Sequence, residues 1–166
     1  YDLINLNRID EINFSTVDSD INHLNDLFIM KDKVYLSMFS FNRPWRDITN
    51  NALGAGVLGE YSLEKKEITK FLYRNLSHPH SVLVYKDQFF YCNSAKYEVK
   101  RNNEVLFKTN DYARGLAIHN KFIFIGQSNN RKYSGKECGI HVLNINSDLA
   151  KFVKLPSKEV YGILLL

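Results

Sequence analysis

Six residues at the starts of three apolar runs have side chains suited to chemistry: His23, Asn25 and Asp26, then His80 and Ser81, then Arg114. Asn and Asp oxygens suit Ca2+ or another hard divalent cation, and imidazoles suit transition metals. His23, Asn25 and Asp26 are therefore the candidate metal ligands. An ordinary imidazole titrates near neutrality, so His80, with Asp26, is the candidate for acid–base catalysis. Arg114 offers a planar fork to a carboxylate, phosphate or sulfate. Ser81 adds a hydroxyl beside His80, although no Ser-His-Asp triad can be assigned from the spacing. The same groups can equally satisfy backbone atoms and tie neighbouring elements together without binding anything.

Two loops add candidates. "SFNRPWRDITNNALGAG", Ser40 to Gly56, holds the only Trp of the chain and flexible glycines. Trp45 can stack on a sugar or another flat ligand, and Arg46 or Arg43 can meet an anion. The alternative is a surface loop anchored by Trp45. "NNRKYSGKE" brings Arg131 and Lys132, with no helix N-terminus after it to make a phosphate cradle. "GAGVLG" is no dinucleotide fingerprint, because a strand pattern follows where that motif needs a helix.

The elements that would position these residues repeat. "FIMKDKVYLSMF", "LVYKDQFFYCNS" and "LAIHNKFIFIGQ" each read apolar run, polar pair, apolar run. Their turn pairs, Lys31-Asp32, Lys86-Asp87 and His119-Asn120, use residues that favour tight hairpins, and the flanks are rich in strand formers. Counting back from Asp32, Asp87 and Asn120 makes Asp26, Ser81 and Arg114 equivalent, 55 and then 33 residues apart, and Tyr161 restarts the frame. A second hairpin follows each first one, turning at Glu64-Lys65-Lys66, at Asn102-Asn103 and at Asn146-Ser147-Asp148. No segment sustains a helical apolar period. Four short antiparallel strands per unit, repeated at uneven intervals, are the pattern of a β-propeller.

The expected fold is therefore all-β, with about three four-stranded blades over 20–76, 77–111 and 112–156. Residues 1–19 would supply an outer strand or part of a preceding blade, and 157–166 the start of a further one. Three blades do not close a ring, and "GILLL" reads as a strand cut short. The expectation is a fragment or processed piece, with additional blades supplied by a longer chain or a second subunit. An open β-sandwich is the alternative fold.

The ordered run "HLND" (His23–Asp26), "PWRD" (Pro44–Asp47), "GVLGEYSL", "HPHS" (His78–Ser81), "RGLA" (Arg114–Ala117), "IGQSNNRK" (Ile125–Lys132) and "CGIHVLNI" (Cys138–Ile145) resembles an uncharacterised bacterial family of conserved hypothetical β-propeller proteins. Its members are described as a domain of unknown function, or as tetratricopeptide-containing proteins. The resemblance implies a propeller and a longer chain, and implies no activity. It draws in His23, Asn25, Trp45, Arg46, Pro79, His80, Ser81, Arg114, Gly115, Ser128 and Arg131.

Composition narrows the classes. The 166 residues carry 11 Phe, 10 Tyr and a formal charge of +4, enough for one domain with a real core. The Lys and Arg are scattered, without a basic stripe interleaved with stacking aromatics, which argues against nucleic-acid binding. No run of apolar residues is long enough to span a membrane as a helix. Cys92 and Cys138 lie in strand-like runs without metal spacing and read as buried thiols. Few cysteines and no visible export pattern make the cytoplasm the default location. The expected function is binding of a polar or anionic small molecule or glycan at the mouth of the central channel. The alternatives are a metal-dependent hydrolase, lactonase or lyase, with Ca2+ or another divalent metal as cofactor, and a protein-interaction scaffold.

Overall fold

The computed structural model describes residues 4–5, 7, 11–12, 14, 19–41, 44–45, 53–129, 137–147 and 149–166. Among them the regular elements are strands and one 3-10 turn, Ser94–Lys96. The strands are β1 (Leu24–Met30), β2 (Lys33–Met38), β3 (Gly56–Ser62), β4 (Glu67–Leu76), β5 (Pro79–Tyr85), β6 (Gln88–Asn93), β7 (Glu98–Arg101), β8 (Glu104–Lys108), β9 (Tyr112–His119), β10 (Phe122–Ser128), β11 (Gly139–Asn144) and β12 (Ala150–Lys154). They form three four-stranded antiparallel sheets, β1–β4, β5–β8 and β9–β12, each in chain order. No helix among the described residues is long and apolar enough to cross a membrane.

Strand alternation gives each sheet two apolar faces, and the faces pair in sequence. Tyr35, Leu58 and Leu76 of the first sheet pack on Val82 and Tyr91 of the second. Phe90, Cys92 and Val99 of the second pack on Ala113, Leu116, Ile123, Ile125 and Leu143 of the third. The leading strands β1, β5 and β9 lie side by side through the stack. Both cysteines are free and buried.

The register of the third hairpin differs from the sequence expectation. His119 pairs with Phe122, so the turn is Asn120-Lys121, one residue later than His119-Asn120. The first turn residue is in the left-handed region each time, Lys31 in the first turn, Lys86 (with Asp87 after it) in the second and Asn120 in the third. Gly115, not Arg114, is therefore equivalent to Asp26 and Ser81. Arg114 falls in line with Asn25 and His80, and Tyr112 with His23 and His78.

Each leading strand carries a bulge at this point: between Leu24 and Asp26, between His80 and Leu83, and at Arg114–Gly115 opposite Gly126. Ser81 (φ 56) and Gly115 (φ 85) sit in the left-handed region there. A bulge twists the strand and re-aims the side chain before it.

The β1 end of the stack is less covered. Leu27 of β1 is 55% exposed, whereas its equivalents Val82 and Leu116, packed against a preceding sheet, are 4% and 8% exposed. Beyond β12 the chain crosses back to the leading strands. Ser128 Oγ accepts from Val160 N at 2.9 Å, and Gly162 backs directly onto Gly115.

Candidate functional site

The bulges set the polar architecture of one end of the stack. The Asp26 carboxylate on β1 accepts the Ser81 N–H at 2.8 Å. The Ser81 hydroxyl in turn accepts the Gly115 N–H at 2.8 Å. At the second and third bulges the equivalent side chain of the preceding sheet satisfies the freed backbone donor, whereas the Asp26 N–H at the first donates to Ser37 Oγ of its own sheet at 3.2 Å. At Gly115 the series ends, since the third residue has no side chain to offer. Asn25 joins the same tie, its Nδ2 donating to Pro79 O at 3.3 Å and His23 O at 3.2 Å. Burial pushes the Asp26 carboxyl up, against the opposing pull of the Ser81 N–H and the Arg114 charge.

The residues one step earlier face a shared aromatic cluster. Phe39, just after β2, stacks on His78 at 4.2 Å and lies 4.7 Å from His23 and 5.2 Å from His80, ring centre to ring centre. Trp45 packs on His23 at 4.4 Å, and Tyr112 on His80 at 5.5 Å. Phe39 thus occupies the space among the three imidazoles. Among the described residues no group of three or more His, Cys, Asp or Glu converges as a metal would need. His23, Asn25 and Asp26, adjacent in sequence, are directed to different partners: His23 Nδ1 bonds Asp20 Oδ2 at 2.6 Å, while Asn25 and Asp26 reach the second sheet.

His80 is 2% exposed. Its Nδ1 lies 3.0 Å from His78 O and 2.9 Å from Ser94 Oγ. A carbonyl can only accept, so Nδ1 carries the proton of the neutral ring and Nε2 keeps its lone pair. Burial, reinforced by the Arg114 charge, lowers the His80 pKa to about 3. A base that weak is badly matched to proton abstraction near neutrality, but its Nε2 remains a good acceptor for a hydroxyl.

Arg114 crosses to the last segment. Its guanidinium lies over the Tyr161 ring at 4.1 Å, and its Nη1 is 4.0 Å from Glu159 Oε2. Its Nε is buried and has no hydrogen-bond partner among the described residues, an orphaned donor on a charged group that costs free energy until something accepts from it. Tyr112 bonds His78 Nδ1 through its hydroxyl at 3.2 Å, and burial pushes its phenol pKa well up, despite the nearby Arg114 charge.

Trp45, half-buried, donates Nε1–H to Asp20 Oδ2 at 2.7 Å. That bond and those from His23 hold Asp20 below the usual carboxylate range, outweighing the upward push of burial. Arg46, Arg43, Arg131 and Lys132 lie outside the described residues. His119 is exposed at the end of β9. His141 sits away from the cluster, buried against Phe107 and Phe152 and bonded to Gln127 Oε1 at 3.0 Å. Sequence reasoning passed over Phe39, Tyr112, Asp20 and Glu159 and left His78 undecided. The frame itself held the signal, because His78 and Tyr112 occupy the His23 position of the second and third units.

An all-β chain of three successive four-stranded antiparallel sheets, with a polar-aromatic cluster at one end of its leading strands, is the class these features define. The family model described as "Domain of unknown function (DUF4915)" matches residues 14–166, and the chain belongs to that family. No curated protein matched it. Among solved structures it is similar to the computationally designed Ika8 protein, with a TM-score of 0.58 and 10% identity over 86% of this chain and 40% of that one. It is also similar to the computationally designed Ika4 protein, with a TM-score of 0.57 and 9% identity over 93% of this chain and 86% of that one. At such identities the likeness is one of fold. The chain spans 40% of the length of the first of these structures.

Proposed function

We propose that the three sheets are blades of a β-propeller, bounded near 20–76, 77–111 and 112–156, and that the end of its leading strands binds a polar, anionic ligand of the saccharide type. The side-by-side β1, β5 and β9 with their matching bulges support the propeller. The partly uncovered face of β1 supports a further blade beyond these three. The observation that carries the ligand reading is Arg114: a guanidinium with a buried Nε–H that no group among the described residues accepts. A ligand anion would satisfy it, His80 Nε2 would take a ligand hydroxyl, and Trp45 would offer a ring face.

Binding is better supported than metal-dependent hydrolysis. Asp26, Asn25 and Ser81, which a hydrolase would need as ligands or reactive groups, are engaged in bonds between sheets. The test is calorimetric titration with neutral and anionic monosaccharides. An anionic sugar should bind, a neutral one more weakly, and Arg114→Ala should lose the difference. Equal binding of neutral and anionic sugars, unaffected by Arg114→Ala, would sink the reading.

A further inference from the structure

The residues in line just before the bulges fix which hydrogen bonds a ligand must bring, on the footing of the binding reading above. Asn25, His80 and Arg114 stand one on each leading strand, and those strands lie side by side. The Asn25 amide rests on the carbonyl of Pro79, the residue before His80. The Ser81 hydroxyl accepts the Gly115 N–H, which joins the positions just after His80 and Arg114. The Arg114 charge also reaches the His80 ring.

Each of the three side chains has one kind of group left. Asn25 Nδ2 donates to two carbonyl oxygens, that of Pro79 at 3.3 Å and that of His23 at 3.2 Å. Carbonyls only accept, so both N–H groups of the amide are spent and its orientation is fixed. Its Oδ1 meets no donor among the described residues. His80 spends Nδ1–H on the His78 carbonyl, and its Nε2 meets no donor among the described residues. Arg114 can only donate, and its buried Nε–H meets no acceptor among them. The row therefore reads acceptor, acceptor, donor. An anionic group satisfies the donor but has nothing to give the two acceptors. Both acceptors are uncharged, and the Arg114 charge repels a second cation beside them, so hydroxyls suit them better than ammonium groups.

We infer that the site takes a polyhydroxylated anion that is read by the direction of its hydrogen bonds. Its anionic group accepts from Arg114 Nε–H, while two of its hydroxyls donate to His80 Nε2 and Asn25 Oδ1. Charge alone does not carry the affinity. Asn25 has two roles, tying β1 to β5 through Nδ2 and reading the ligand through Oδ1.

The test compares glucuronate with tetrahydropyran-2-carboxylate, which keeps the ring and the carboxylate and has no hydroxyl. Both are titrated calorimetrically into the wild type, Asn25→Ala and Asn25→Asp, with thermal unfolding as the check on folding. A donated hydroxyl bond is worth about fivefold in affinity, so the wild type should prefer glucuronate by roughly 25-fold. Asn25→Ala should cut that preference to about fivefold. Asn25→Asp keeps an acceptor oxygen, and the equal charge of the two probes cancels its added repulsion in the ratio, so the preference should persist. Should the alanine variant not fold, the aspartate variant and the wild type decide. Equal affinity of the two probes for the wild type would overturn the hydroxyl reading and leave anion binding at Arg114 standing. A full preference in Asn25→Ala, or its loss in a folded Asn25→Asp, would overturn the role of Asn25. Saturable binding of neither probe would overturn the underlying binding reading as well.

Discussion

At His80, burial and hydrogen bonding act on the same imidazole. The native ring stays neutral down to about pH 3, while the unfolded chain takes up its proton near the ordinary imidazole value of 6.5. Between those values the unfolded state binds more protons, so stability is fully present above pH 6.5 and falls as the pH drops toward 3. The loss is at most about 1.4 kcal/mol per pH unit from this one group. His141, whose pKa burial also lowers, adds a slope of the same sign. The difference between wild type and His80→Asn isolates the His80 share, and urea midpoints from pH 7 to pH 5 should fall more steeply for the wild type. Parallel slopes would contradict the buried neutral ring.

The inter-sheet tie makes a second prediction at this scale. Asp26→Asn keeps an oxygen for the Ser81 N–H, whereas Asp26→Ala leaves that donor without one. The alanine variant should lose about 1–3 kcal/mol in denaturant unfolding, and the asparagine variant clearly less. Equal losses would mean that the carboxylate acts by its charge.

At the scale of the element, the bulged leading strand is the unit of construction. Its hairpin was legible in the sequence because strand formers flank a polar pair, and the turns at Lys31-Asp32 and Lys86-Asp87 are where those patterns place them. The third turn slipped by one residue for a physical reason. Asn suits a left-handed conformation, and the structure uses it at the first turn position, where the other hairpins hold a lysine. Aligning Asn120 with Asp32 and Asp87 put Arg114 in the tie and left Gly115 out of it. The bulges themselves were hidden, since nothing in "NDLF" or "HSVL" announces an extra residue. Gly115 is where the bulge is least replaceable. Its φ of 85° disfavours any side chain, and a Cβ would meet the Gly162 backbone at 3.3 Å. Gly115→Ala should cost roughly 1–2 kcal/mol, read as a lower urea midpoint. An unchanged midpoint would refute the strained bulge.

At the scale of the molecule, equivalent positions are unequally covered. Val82 is buried against the first sheet, while Leu27, its counterpart, is more than half exposed. With only these three sheets present, Val82→Ala should destabilise by roughly 2 kcal/mol, and Leu27→Ala by under about 0.5 kcal/mol. A cost at Leu27 as large as that at Val82 would show that another sheet covers the face in solution. The all-β, four-stranded antiparallel sheets were legible because hairpins carry local signals. The site was only half legible, because His23, His80 and Trp45 announce themselves by type, while Phe39 and Glu159 matter only through what the stacked sheets bring beside them.

The most direct measurement for the account as a whole is the fluorescence of Trp45 during a glucuronate titration, wild type beside Arg114→Ala. A saturable change in the wild type that the variant loses, with both proteins unfolding at the same temperature, is the predicted result. The same saturable change in both proteins, or none in either, would contradict the account.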